Sequence, residues 1–184
     1  MISKYNIKYS FAFNGNIRNY DKLKEKLTSQ YRFNTDSDSE LLAYLFGINL
    51  GKIDINDVYK DFALLIDGSY SLTALVEEKK PILTAIRDPL GFKPLCIGEN
   101  KDGYFIASES VAFSEPYMDA RFVRDVNPGE AIIIDHDGLH SNQIFKSERH
   151  AHCMFEWVYF SRPDSVIEGV PVYKVRKKLG EYLV

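Results

Sequence analysis

Aromatic and polar residues alternate over residues 7–13, where Tyr9, Phe11 and Phe13 are separated by Ser10 and Ala12. A period of two, rich in aromatics, predicts a β-strand. Asn14-Gly15-Asn16 follows, and because Gly and Asn tolerate positive φ the triplet is expected to break the strand into a turn. The apolar spacing then becomes helical. Leu23 and Leu27 share one face of a short helix over 21–27. Ser37, with Glu40 three residues on, fits a capping box that opens a second helix. Leu41, Leu42 and Leu45 supply its apolar face, and Gly47 is expected to end it. Val58, Phe62 and Leu65 mark the inward face of a third helix over 54–66.

From Ser69 the pattern returns to strands, with short apolar runs at 69–76, 82–87, 95–98 and 104–107. They are separated by Glu-Lys-Lys-Pro, Pro-Leu-Gly and Asn-Lys-Asp-Gly turn signals. Two more runs, 130–135 and 139–145, flank the hairpin turn His136-Asp137-Gly138. Val172, Val175 and Leu179 are spaced for one face of a final helix over 171–184. Helices followed by many antiparallel-looking strands argue for an α+β sandwich rather than alternating βαβ units. No glycine-rich phosphate loop interrupts the pattern.

Composition narrows the function. The 184 residues are 45% hydrophobic with a net charge of −3, which allows a sizeable core and gives no broad basic footprint for nucleic acid. No apolar run approaches the ~20 residues of a membrane span, and MISKYNIK does not read as a signal peptide, so a cytoplasmic chain without membrane contact is expected. Cys96 and Cys153 lie far apart without a CxxC partner, which supports neither a disulfide framework nor a zinc site. The spacing of His136, His140, His150 and His152 falls short of a ligand set, and they read as solvated loop residues.

Two features carry candidate chemistry. Asn14-Gly15 presents a side-chain amide and a backbone N–H that could stabilise the oxyanion formed when an acyl carbon is attacked. The competing reading is a plain turn. Asp38 would lie in the first turn of its helix, where the dipole and free N–H groups favour a carboxylate able to hold an α-ammonium. Acidic residues are also favoured there for structural reasons alone. Arg87-Asp88 opens RDPLGFKPL and reads as the tie of a Gly/Pro turn. Cys153 reads as a small buried hydrophobe beside a core strand formed by the aromatic run that follows.

Taken in order, FAFNGNIRNYDKLKEKL, NTDSDSELLAYL, RDPLGFKPLCIG, YFIASESVAF, RDVNPGEAIII and CMFEWVYFSRPDS resemble the N-terminal domain of glutamine phosphoribosylpyrophosphate amidotransferases. NGN, SDSE and RDPxGxKPL are shared across class II glutamine amidotransferases, whereas FEWVYFSRPDS is particular to the purine branch. The resemblance implies the four-layer αββα sandwich of N-terminal-nucleophile hydrolases. It implies that Asn14 and Gly15 form the oxyanion hole and that Asp38 binds the α-ammonium of glutamine. The family's reaction is cleavage of the glutamine side-chain amide by the thiolate of an N-terminal cysteine, whose own α-amine serves as base. The ammonia then displaces pyrophosphate from phosphoribosylpyrophosphate in a second domain, giving 5-phosphoribosylamine.

The departures from that pattern shape the expectation. Phe13 stands where the family has His, and no cysteine lies near Met1, so the nucleophile and the arginine motif that holds the glutamine α-carboxylate are missing. A partial amidotransferase domain is expected over 1–170, with 171–184 leading toward a missing phosphoribosyltransferase domain. The chain is expected to be inactive alone, and loss of a central strand to leave unpaired backbone groups and an exposed apolar sheet face. In a longer parent the resemblance implies Mg2+, a homo-oligomer and, in some members, a [4Fe–4S] cluster for which Cys153 matches one ligand position. This chain, with too few thiolates, is expected to bind none. Partners are glutamine and either the missing domain or a complementing chain. Two other readings stay open: a degenerate module that binds glutamine or a partner without catalysis, and a relative of asparagine synthase.

Overall fold

The computed structural model describes residues 5–77, 80–114 and 116–183. Its first strand, β1 (Lys8–Ile17), runs unbroken through Asn14-Gly15-Asn16, against the turn expected there. It pairs antiparallel with β2 (Gly68–Glu77) over its full length, with Asn14 opposite Ser71 and Gly15 opposite Tyr70. The reason lies in crowding. A Cβ on Gly15 would stand 2.1 Å from the Ser69 carbonyl oxygen and 2.9 Å from the Phe13 ring. Glycine serves a close approach between strands here, not a reversal of direction.

Helix α1 (Tyr20–Thr28) buries Leu23 and Leu27, as the spacing predicts. Helix α2 (Asp38–Asn49) runs past Gly47 instead of ending at it. A Cβ on Gly47 would lie 2.4 Å from the hydroxyl of Tyr9, which donates to the Ala43 carbonyl at 2.8 Å. Gly47 thus makes room for a buried tyrosine. In α3 (Ile55–Leu65) Val58 and Phe62 face inward, but Leu65 is exposed. Tyr59 joins the inward face, and the buried Ile66 takes the place four residues after Phe62.

The other strands of the two main sheets are β3 (Ile82–Arg87), β4 (Cys96–Asn100), β5 (Gly103–Ala107), β6 (Arg121–Asp125), β7 (Glu130–Asp135) and β8 (Gly138–Gln143). They build a five-stranded sheet of order β1-β2-β3-β7-β8 and a three-stranded sheet of order β5-β4-β6. The strand β6 has no clear period in sequence, since three of its five residues are charged. The Glu-Lys-Lys-Pro turn falls partly outside the described residues.

Period two divides the large sheet into two faces. One carries Tyr9, Leu72, Ala74, Val76 and Ile86, packed against Leu41, Leu42, Phe46, Tyr59 and Phe62 of the helices. The other carries Ala85 and Ile132, packed against Leu95, Ile97 and Val126 of the small sheet and its margins. Helices, large sheet and small sheet thus supply the α, β and β layers in succession of the αββα sandwich that the resemblance implies. The even-numbered face of β1 carries Lys8, Ser10, Ala12, Asn14 and Asn16, of which all but Asn14 are exposed. Instead of the apolar sheet face expected, this one is mostly polar.

The exposed apolar groups lie elsewhere. Residues Glu156–Phe160 form a π-helical turn, with Ser161 N–H donating to the Glu156 carbonyl, where a core strand was expected. Phe155, Tyr159 and Phe160 project into solvent from it. A two-residue hairpin, β9 (Val166–Ile167) and β10 (Val170–Pro171), leads into α4 (Val172–Glu181). That helix packs on the π-turn through Arg176, which donates to the carbonyls of Trp157 and Ser161. The expected end of this helix at Val184 lies outside the described residues. Among the described residues no helix is long and apolar enough to cross a membrane.

Candidate functional site

Strand parity decides where the Gly15 N–H points. Tyr70, opposite Gly15, uses both of its backbone groups on Asp88: its carbonyl accepts from Asp88 N–H at 2.8 Å, and its N–H donates to Asp88 Oδ2 at 3.3 Å. Tyr70 therefore faces away from β1. In an antiparallel pair the opposite residue must then turn its own N–H and carbonyl away too. The Gly15 N–H thus points off the open edge of the large sheet, where no strand follows β1 among the described residues.

The same parity holds two residues on, and there the edge is occupied. Ile17 N–H donates to Asp38 Oδ2 at 3.0 Å. The N–H groups of Gly15 and Ile17 lie about 7 Å apart along one edge. Asp38 is half-buried and closes one end of that edge. Nothing in the side chain of Ile17 signals this anchoring role; only the parity of the strand could have found it. The Asn14 side chain leaves β1 on the face opposite the helices, beside Ser71, whose hydroxyl donates to the Lys93 carbonyl at 3.0 Å.

Local capping fixes Asp38. The Ser37 side chain accepts from Ser39 N–H at 3.2 Å and so caps α2. Glu40 does not return to Ser37 as a capping box requires. It accepts instead from Asn34 N–H at 2.9 Å and Thr35 N–H at 2.7 Å, which ties the preceding loop to the helix. Burial opposes the charge on Glu40, but the donors of Thr35 and Asn34 outweigh it and hold its carboxyl below the ordinary range. Asp38 is therefore presented by a helix start whose approach is fastened on both sides.

RDPLGFKPL supplies the structural tie that its sequence suggests. Buried Arg87 donates to the carbonyls of Gly91, Lys93 and Val126 at 2.6–2.7 Å and pairs with Glu168 at 2.6 Å. Buried Asp88 accepts from Leu90 and Phe92 N–H, both at 2.9 Å. Burial pushes its carboxyl above the ordinary value, and those N–H groups work in the opposite direction. This turn holds Tyr70, and through it the register at Gly15.

Neither cysteine is placed for nucleophilic attack. Cys96 lies in the small sheet with its thiol donating to the Ala107 carbonyl, and burial pushes its pKa strongly up. Cys153 is buried as expected, beside Lys93 Nζ at 3.6 Å, which itself pairs with Glu156 at 3.0 Å.

A glutamine amidotransferase domain model matches residues 1–115. The amidophosphoribosyltransferase of Archaeoglobus fulgidus is 46% identical over 94% of this chain and 37% of its own length. That of Methanocaldococcus jannaschii is 38% identical over 95% of this chain and 40% of its own length. The chain thus spans about two fifths of these relatives. The solved glutamine phosphoribosylpyrophosphate amidotransferase of B. subtilis, complexed with ADP and GMP, superposes with a TM-score of 0.85 at 35% identity. The superposition covers 100% of this chain and 39% of that one, so the fold is that of this enzyme's matching part.

Proposed function

Because the chain belongs to the glutamine amidotransferase domain family, we propose that it works as the glutaminase portion of an amidophosphoribosyltransferase, with Asn14 and Gly15 as oxyanion hole and Asp38 as the receptor of the substrate's α-ammonium. One observation carries this reading: the bond from Ile17 N–H to Asp38 sets a carboxylate on the same open edge as the Gly15 N–H. The two are separated by a span comparable with an extended five-carbon amino acid. Glutamine laid along the edge puts its ammonium at Asp38 and its side-chain carbonyl oxygen at Gly15.

The chemistry follows from that placement. A thiolate adds to the amide carbon, and the carbonyl π electrons move onto oxygen. The Gly15 N–H and the Asn14 amide donate to that oxyanion, each donor contributing ~3–4 kcal/mol of barrier lowering. Collapse with proton transfer to nitrogen releases ammonia and leaves a glutamyl thioester, which water hydrolyses to glutamate. The thiolate comes from outside residues 5–183, since Cys96 and Cys153 are buried in other surroundings. Ammonia would pass to a phosphoribosyltransferase domain, the part to which Mg2+ chemistry belongs. The exposed Phe155, Tyr159, Phe160, Tyr173 and Tyr182 fit an apolar docking face for that domain.

The test joins this chain to the remaining segments of the Archaeoglobus fulgidus relative and measures ammonia release from glutamine. Asp38→Ala should raise KM sharply and lower kcat/KM by about 100-fold or more, as expected when one partner of a charge pair is removed. Asn14→Ala should act mainly on kcat, by about 100-fold. Hydrolysis unchanged in both variants would rule out the assignment. A second reading is binding of glutamine without catalysis. It predicts glutamine binding in the chain itself and no ammonia release even after joining.

A further inference from the structure

The geometry points to a divalent transition-metal site of the zinc type, built by His150, His152 and Glu168 and separate from the glutamine edge. In sequence the two histidines are a bare His-x-His, and Glu168 lies sixteen residues away. Folding brings one ligand atom from each within 4.8 Å of the others. The His150 and His152 ring centroids are 4.3 Å apart, and His150 Nε2 lies 3.6 Å from Glu168 Oε1. Ligands at ~2.0–2.2 Å around a tetrahedral ion stand about 3.4 Å from one another, so a small inward swing of exposed imidazoles completes the set.

Three independent constraints hold the ligands there. Ala151 N–H donates to the Leu90 carbonyl at 2.9 Å and Cys153 N–H to the Phe92 carbonyl at 3.1 Å. With alternate N–H groups anchored on the RDPLGFKPL turn, His150 and His152 project on the same side. His150 also packs over Gly91, where a Cβ would come within 3.0 Å of its Nε2. Glu168 sits in the two-residue β9–β10 turn at φ +50, a conformation that side-chain-bearing residues rarely adopt, followed by Gly169 at φ +73. Backbone strain of this kind is retained where the surroundings demand it.

Charge permits a cation. The carboxylate of Glu168 uses Oε1 for Arg87, while Oε2 has no hydrogen bond among the described residues. Asp125 brings a second carboxylate close enough to Glu168 for the two charges to repel. Two carboxylates against the one Arg87 guanidinium leave a negative balance beside two imidazoles. Imidazole and carboxylate together suit zinc, and a site of three protein ligands keeps a fourth position for water.

The test titrates Zn2+ into the intact chain in competition with a chromophoric chelator. One equivalent should bind. His150→Ala and His152→Ala should each weaken it by about 10–100-fold or more, since even loss of a supporting group costs that much. His136→Ala and His140→Ala, in the exposed β7–β8 hairpin, should leave binding unchanged. His152→Asn, which keeps size and polarity, repeats the test should the alanine variant fold poorly. Zn2+ should also raise the thermal midpoint of the parent and not of the double His150→Ala/His152→Ala variant. X-ray absorption should find imidazole nitrogen and oxygen at ~2.0–2.2 Å. Binding equal in parent and double variant, or a sulfur neighbour at about 2.3 Å from Cys153, would overturn the site.

Discussion

Gly47→Ala should destabilise the protein although it improves the helix. In the interior of α2, replacing Gly by Ala favours the helix by about 1 kcal/mol. Against that gain stands the Tyr9 hydroxyl, 2.4 Å from the new methyl carbon, with the ring Cζ at 3.0 Å. Tyr9 is 5% exposed and its hydroxyl donates to Ala43, so the ring cannot retreat without losing a buried hydrogen bond of about 1 kcal/mol. Overpacking a filled core adds ~1–3 kcal/mol. The net expectation is a loss of about 1–3 kcal/mol in urea unfolding followed by circular dichroism. The sign should depend on Tyr9. In a Tyr9→Phe background the nearest atom is at 3.0 Å, and Gly47→Ala should be close to neutral. In a Tyr9→Leu background it should stabilise by about 1 kcal/mol. An equal effect of Gly47→Ala in all three backgrounds would refute the steric reasoning.

Other outcomes follow from the buried charges. Glu130, 2% exposed, clamps the large sheet to Arg124 of the small sheet at 2.6 and 2.8 Å and accepts Asn127 N–H at 2.6 Å. Burial opposes its charge, but Arg124, Ser141 and Asn127 outweigh that and depress its pKa. The stability it supplies is thus present above the ordinary carboxylate pKa and lost as pH falls through the depressed one. Glu130→Gln should cost about 2–4 kcal/mol at pH 7, with a gap from the parent that closes toward pH 3 in denaturant titrations; a gap independent of pH would contradict this. Arg87→Met strands three carbonyls and the Glu168 carboxylate. It should lower stability by about 3–5 kcal/mol, and a cost under 1 kcal/mol by the same assay would show that the turn does not depend on it.

Most of the architecture is readable from apolar spacing, because period two and period 3.6 report directly which face is buried. Strand β3 and strand β7 begin and end where the pattern says, and Leu23 and Leu27 face inward as spaced. The two misread glycines share one physical cause. Sequence reports glycine's tolerance of unusual φ, but Gly15 and Gly47 are needed for close contacts with Ser69 and Tyr9, residues distant along the chain. β6 escaped because Arg121, Arg124 and Asp125 mask its period, and the run at 155–160 was misread because exposed aromatics mimic a core strand. At the candidate site the residue types were visible at Asn14, Gly15 and Asp38. What joins them was not: a backbone N–H at Ile17 and the parity set by Asp88 carry no side-chain signature. The three-residue cluster at Glu168 was equally hidden, since folding alone unites it with His150 and His152.

The account rests on the Gly15 N–H and the Asp38 carboxylate serving one ligand, and amide NMR reads both ends of that edge. On addition of L-glutamine the Gly15 and Ile17 resonances should shift together and saturate. 4-Carbamoylbutanoate, which keeps the side-chain amide but lacks the α-ammonium, should shift them only weakly, and Asp38→Asn should abolish the glutamine response. Shifts at Gly15 that are the same for both compounds and survive Asp38→Asn would contradict the account.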